Sequence, residues 1–212
     1  MNISGIKKRI EAALEDEAKA GRLAGAIRAF SSQRGVPCTE SQVKAAVKFA
    51  REYVDHVPFY LEQAVKGAPT FGLSKEMNQM LSEVEAYWLA EDDLISDKLG
   101  LLGLLDDAYA SLLLLQAVSD LCSARWGRPI LTQNLTPANL SMRQFINESI
   151  VMQIEQRVGA TIANSLFAQA LEQIAASGWT IGGADTSWDP MWGRASIDEI
   201  VDARLGAMGI VK

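Results

Sequence analysis

Residues 99–118 read LGLLGLLDDAYASLLLLQAV, and the fold turns on whether this stretch crosses a membrane or lies inside a helical protein. Asp106 and Asp107 stand near its middle, where hydrocarbon penalises ionised carboxylates by several kilocalories. The uninterrupted apolar part after them, Ala108 to Val118, has 11 residues, against the roughly 20 that a spanning helix needs. A buried core helix is the expectation.

Working outward, the same helical grammar recurs on both sides. Ile6, Ile10 and Leu14, then Leu23, Ile27 and Phe30, return every three or four residues, the spacing that keeps them on one helix face. Gly35-Val36-Pro37 ends that pattern. Thr39 and Gln42 form a capping box that opens a helix with Val43, Val47, Ala50 and Val54 on one stripe. Pro58 disfavours an α conformation at Val57, which predicts a kink or a new helix start. The short apolar run from Phe59 to Val65 stops at Gly67-Ala68-Pro69. Ser74 is placed to cap a helix that buries Met77, Leu81, Val84 and Trp88. Trp126-Gly127-Arg128-Pro129 is a loop, and Thr136-Pro137 repeats the start signal, a capping hydroxyl followed by proline at the first helical position.

From Leu140 to Ala176 the helical pattern is longest. Ile146, Ile150, Ile154, Val158, Ile162 and Leu166 repeat every four residues, so their stripe winds around the helix and calls for neighbours on more than one side. A break near Ser141 and a bend at Gly159 are the weak points. Nothing alternates with period two for long enough to require a sheet. The expected fold is all-α: a multi-helix bundle over residues 1–176, with a long helix in its C-terminal half. Residues 177–212 form an irregular Trp/Gly-rich tail that closes with a short helix opened by the Ser196/Glu199 capping box.

Composition bounds the function. The chain has 212 residues, 49% hydrophobic and 22% charged, with a formal net charge of −6. So apolar a chain has the means to bury a core, which excludes disorder. The acidic total argues against general nucleic-acid binding, which works by neutralising phosphates. Two cysteines, Cys38 and Cys122, are too few for a disulfide framework and too far apart for a CxxC motif. No apolar run follows the basic residues near Met1, so the default expectation is a cytoplasmic protein.

Charge is unevenly placed. Between Glu76 and Asp107 there are nine acidic residues and one lysine. Within this window the chain reads Asp93-Leu94-Ile95-Ser96-Asp97, then Gly103, then Asp106-Asp107. Read as residues alone, Asp93 and Asp97 flank a turn whose freed amides carboxylates can accept, while Asp106 and Asp107 stand at the positive end of the next helix dipole. The main reading is a set of caps that lock a helix–turn–helix elbow. The alternative is a hard-cation site in which Asp93, Asp97, Asp106 and Asp107 hold Mg²⁺ or Ca²⁺, with metal-dependent hydrolysis as its chemistry. A docking surface for a basic partner is a third reading.

The spacing resembles the YkvA-like domain-of-unknown-function family of bacterial proteins, whose signature is Asp-Leu-Ile-Pro-Asp, a glycine, two apolar residues and Asp-Asp. Tyr87-Trp88 and Ala108-Tyr109 suit that family's flanking helices. Ser96 replaces its usual proline, and Gly100 stands where a second proline is common; both residues can still make a turn. The resemblance covers residues 75–122. It implies a helical hairpin module without a settled activity, some members of which are thought to associate with membranes.

Other candidates have plain readings. His56, in Val54-Asp55-His56-Val57-Pro58, is placed as a helix C-terminal cap, where a protonated imidazole is favoured, or as a general base beside Asp55. Cys38 lies at a helix start with no base in view, and Cys122 belongs to the core. Lys7, Lys8, Arg9, Lys19, Arg22, Arg28 and Arg34 make the first 35 residues net positive, as a solvated face or as a patch for anionic lipid or an acidic partner. No Walker loop, GxSxG elbow, HExxH or dinucleotide-binding glycine pattern occurs. Trp179, Trp188, Met191 and Trp192 bring large apolar groups into a segment of weak helical content. They either strap onto the domain or insert into a partner.

The expected function is therefore a non-enzymatic interaction or regulatory protein that works through protein–protein contacts, self-association included. A cation-dependent protein and a peripheral membrane protein are the alternatives.

Overall fold

A computed structural model describes residues 2–33, 35, 37–90, 94–164 and 167–176. Its helices are α1 (Ile3–Ala20), α2 (Arg22–Gln33), α3 (Glu40–Asp55), α4 (Val57–Gly67), α5 (Ser74–Trp88), α6 (Leu105–Trp126), α7 (Thr136–Arg143), α8 (Glu148–Asn164) and α9 (Phe167–Ala176), with 3₁₀ segments at Ala68–Phe71 and Asp97–Leu104. Among the described residues there is no strand, and the fold is an all-α, multi-helix bundle.

The apolar stretch 99–118 supplies its centre. Helix α6 buries residues on every side, from Leu105 and Tyr109 to Leu115, Val118 and Cys122, the pattern of a helix with neighbours all round. Helices α3, α4, α5, α7 and α8 pack on it. By length and composition Lys98–Trp126 is apolar enough to cross a membrane; in this fold 78% of its most apolar window is buried inside the bundle. Burial pushes the Cys122 thiol up to about 12, as befits a core cysteine.

Local signals fix most of the helix ends. Thr39 Oγ1 accepts the Gln42 N–H at 3.3 Å and the Gln42 Oε1 accepts the Thr39 N–H at 2.7 Å, the reciprocal capping box. His56 both ends α3 and precedes α4, whose first turn holds Pro58. The imidazole is half-buried with Nδ1 on the Glu52 carbonyl, and burial lowers its pKa. Desolvation outweighs the helix C-terminus here, so the charged form expected at this cap is disfavoured.

Three expected details are corrected. Ser74 is the first residue of α5 rather than its cap, and the N-cap position falls to Leu73, without a side-chain bond. Thr136 likewise lies inside α7, its N–H accepted by Asn134 Oδ1 at 3.0 Å. The pattern from Leu140 to Ala176 divides into α7, α8 and α9, and α8 runs through Gly159 unbroken. The break before α8 is built by Asn147, whose Oδ1 accepts the N–H and O–H of Ser149 at 2.9 and 2.7 Å, while its carbonyl takes the amides of Ile150 and Val151. An asparagine bonded this way starts a new helix instead of continuing an old one.

Three of the basic N-terminal side chains are engaged in ion pairs. Lys7 meets Glu62 at 2.7 Å, Arg22 meets Asp16 at 3.0 Å and Arg28 meets Glu40 at 2.9 Å.

Candidate functional site

The acidic elbow joins α5 to α6. Ile95 donates its N–H to Asp106 Oδ2 at 3.1 Å, which ties the turn to the first turn of α6 across 11 residues. Leu104 holds the N-cap position, with no side-chain bond, so Asp106 fastens the elbow from within the helix rather than capping its end. Asp106 and Asp107 are both fully buried. Gly100 adopts φ 64° and ψ −129°, a conformation open to glycine alone. A Cβ there would come within 2.6 Å of Asp16 Oδ2. This close approach exists because the junction of α1 and α2 covers the elbow: Arg22 bonds the Lys98 carbonyl at 3.1 Å while it pairs with Asp16. Glu17, itself buried, accepts the Leu23 N–H at 3.0 Å and holds that junction in shape.

Of the four aspartates read as cation ligands, Asp93 and the Asp97 side chain lie outside the described residues. Asp106 and Asp107 are consecutive on a helix, so their side chains diverge by about 100°. Among the described residues no three His, Cys, Asp or Glu side chains come together to hold a metal ion. Trp179, Trp188, Met191 and Trp192 also lie outside the described residues.

One turn further along α6, the surface opens into a cleft of about 380 Å³ between α5, α6 and α8. Its walls are Val84, Ala110, Leu114, Ile154 and Val158, and its mouth carries Glu83, Tyr87, Arg157 and Thr161. The Arg157 guanidinium carbon sits 5.8 Å from the centre of the Tyr87 ring, a cation–π contact. Ser111 on the floor is already engaged. Its Oγ accepts the Trp88 Nε1–H at 2.8 Å and its O–H donates to the Asp107 carbonyl at 2.8 Å. The cleft therefore offers apolar surface and an aromatic–cationic rim, and its one hydroxyl floor group is spent on structure.

A polar clasp sets the position of α8, and so the width of the cleft. Tyr109 on α6 donates to Glu155 Oε1 at 3.0 Å, and Arg143 on α7 reaches the same oxygen at 2.9 Å while it holds Glu148 at 2.7 Å. Burial and the Glu155 carboxylate push the Tyr109 phenol well up, so it stays a donor. Behind it Tyr53 donates to Asn139 Oδ1 at 2.6 Å, and Asn139 bonds the Leu112 carbonyl at 3.3 Å.

A second concavity of about 600 Å³ lies between α1, α2 and α3. Charges of both signs rim it, and two pairs of them meet, Arg28 with Glu40 and Lys48 with Glu52. It is the weaker candidate.

Sequence reasoning missed Glu83 and Arg157. The signal was faint: an arginine on α8 directly before Val158, at the edge of an apolar stripe, reads as a solvated residue until a tyrosine from α5 is known to face it. Compared with family models, curated proteins and solved structures, the chain matches none of them.

Proposed function

We propose that this chain is a non-enzymatic helical interaction protein, which receives an apolar, aromatic-bearing segment of a protein partner in the cleft between α5, α6 and α8. The observation that carries the reading is the cleft itself, apolar-walled and rimmed by Tyr87 and Arg157. Its volume is within the range of sites that enclose a small group, about 300–1,000 Å³, and aromatic and arginine side chains are the usual anchors of such contacts. The burial of Asp106 and Asp107 supports the same reading, because carboxylates folded into the scaffold are poorly placed to meet a substrate. Kinship of residues 75–122 with the YkvA-like family, a cytoplasmic setting and self-association belong to this proposal.

The test fills the cleft. Ala110→Trp is expected to abolish association with a co-purifying protein, or self-association measured by light scattering, while the melting temperature changes little. Association that survives with the cleft filled would overturn the reading. Two further measurements separate the alternatives. A rise in melting temperature with millimolar Mg²⁺, Mn²⁺ or Ca²⁺ would favour the cation site at Asp93, Asp97, Asp106 and Asp107. Flotation with anionic vesicles would favour a peripheral membrane protein.

A further inference from the structure

We propose that the concavity between α1, α2 and α3 binds a long-chain carboxylate, an amphiphile with one anionic head and one apolar tail. The site is separate from the cleft between α5, α6 and α8 and does not depend on that reading.

The floor supplies a place for the tail. Leu14 from α1, Ala24 from α2 and Val43 and Val47 from α3 line the concavity. Val43 is buried, but Leu14, Ala24 and Val47 are only half-buried, so apolar surface from all three helices stays accessible here. The volume of about 600 Å³ lies within the range of sites that enclose a small molecule.

The rim selects the head. Four cations line it, Arg28, Lys44, Lys48 and Arg51, against the three carboxylates of Glu40, Glu52 and Asp55. Arg28 takes both oxygens of Glu40, at 3.1 and 2.9 Å, and Lys48 meets Glu52 at 3.5 Å. Lys44 and Arg51 make no ion pair among the described residues; Lys44 acts on the Glu40 carboxyl only through space. Arg51 is half-buried, where an opposite charge is attracted more strongly than in open water. The lining therefore carries one positive charge in excess, and one anionic head neutralises it.

The order of charges along α3 argues against broader partners. Lys44, Lys48 and Arg51 recur at helical spacing on one face, with Glu40 before them and Glu52 and Asp55 after them. Lys44 and Arg51 lie roughly 10 Å apart along the axis, at 1.5 Å per residue. An anionic bilayer or an acidic helix would carry negative charge past the carboxylates at both ends, and like charges set against each other are costly. A single carboxylate between Lys44 and Arg51 avoids both ends and leaves its tail to the apolar floor.

Isothermal titration calorimetry of the full chain with dodecanoate, below its micelle concentration, tests this. One equivalent is expected to bind. It should bind at least about tenfold more tightly than dodecyltrimethylammonium, which has the same tail and the opposite charge, and than acetate, which has the head without the tail. Lys44→Gln and Arg51→Gln should each weaken binding about fivefold, the scale of one ion pair at a surface. Ala24→Trp, which fills the floor, should abolish binding, whereas Ala110→Trp in the other cleft should leave it unchanged. A melting curve accompanies each variant, and the exposed Lys44 keeps the test decisive if Ala24→Trp does not fold.

No binding, equal affinity for dodecanoate and dodecyltrimethylammonium, several equivalents bound, or loss of binding with Ala110→Trp would overturn the proposal. So would flotation with phosphatidylglycerol vesicles, or capture of a polyglutamate peptide, that depends on Lys44 and Arg51 while dodecanoate does not bind. Those two results would assign the rim to a membrane surface or to an acidic peptide instead.

Discussion

The elbow and the cleft share helix α6, little more than a turn apart, and they differ in what each holds inside. At the elbow two carboxylates are fully buried, and the apolar chain wraps around them. At the cleft the helix turns Ala110 and Leu114 toward an opening with tyrosine, arginine and glutamate at its mouth. What separates them is what covers each. The elbow is closed by the α1–α2 junction through Asp16 and Arg22, whereas the described residues that line the cleft all come from α5, α6 and α8. Buried polar groups must be fixed by hydrogen bonds, whereas the apolar lining of the cleft, with Val84, Leu114, Ile154 and Val158 themselves buried, needs none.

The side chain that bonds Ser111, on the floor of the cleft, gives the largest expected effect. Trp88 is fully buried and bonds Ser111, so Trp88→Ala should cost about 3–5 kcal/mol in thermal or denaturant unfolding. It should also widen the cleft and loosen the elbow together; a loss below 1 kcal/mol would mean that the two regions are not braced by this side chain.

Asp106→Ala comes next and separates the regions. Loss of the acceptor for the Ile95 N–H is expected to lower stability by about 1–3 kcal/mol, with Asp106→Asn recovering part of it and the cleft unaffected. An unchanged melting temperature with a lost cellular activity would show instead that Asp106 belongs to a chemical site.

Gly100→Ala tests the cover over the elbow. Its backbone conformation costs any other residue about 1–3 kcal/mol, and the added methyl meets Asp16. Asp16→Ala should relieve the steric part but not the backbone part, which a double-mutant cycle reads directly.

The smallest effect is a pH slope. Burial holds the His56 imidazole below the ordinary histidine value, so the unfolded chain binds that proton more tightly. Stability contributed at neutral pH is then lost as pH falls through about 6.5 toward the lowered value. His56→Gln should flatten the slope in that window, with little change above pH 7.

Much of the fold was legible because its signals are local. The Thr39–Gln42 box and Pro58 act within one turn of chain, and both fix helix starts where they were expected. The starts at Ser74 and Thr136 were placed one residue off, since a capping residue and a first-turn residue carry the same side chains. Asn147 was overlooked because it interrupts a four-residue apolar repeat without a glycine or proline to announce it. At the elbow, the clustering of aspartates was visible in the chain, but their burial was not. It depends on Arg22, 76 residues before the Lys98 carbonyl that it binds.

By itself, then, the sequence determined that this is a bundle of helices with α6 as a core helix and an acidic turn at its start. Apolar spacing, caps and chain breakers act over a few residues and need no distant partner. Only the tertiary structure decided that Asp106 and Asp107 face inward and that Tyr87 and Arg157 meet across an open cleft. Those facts join residues tens of positions apart, and burial is a property of whatever packs on top, which spacing along one chain does not encode.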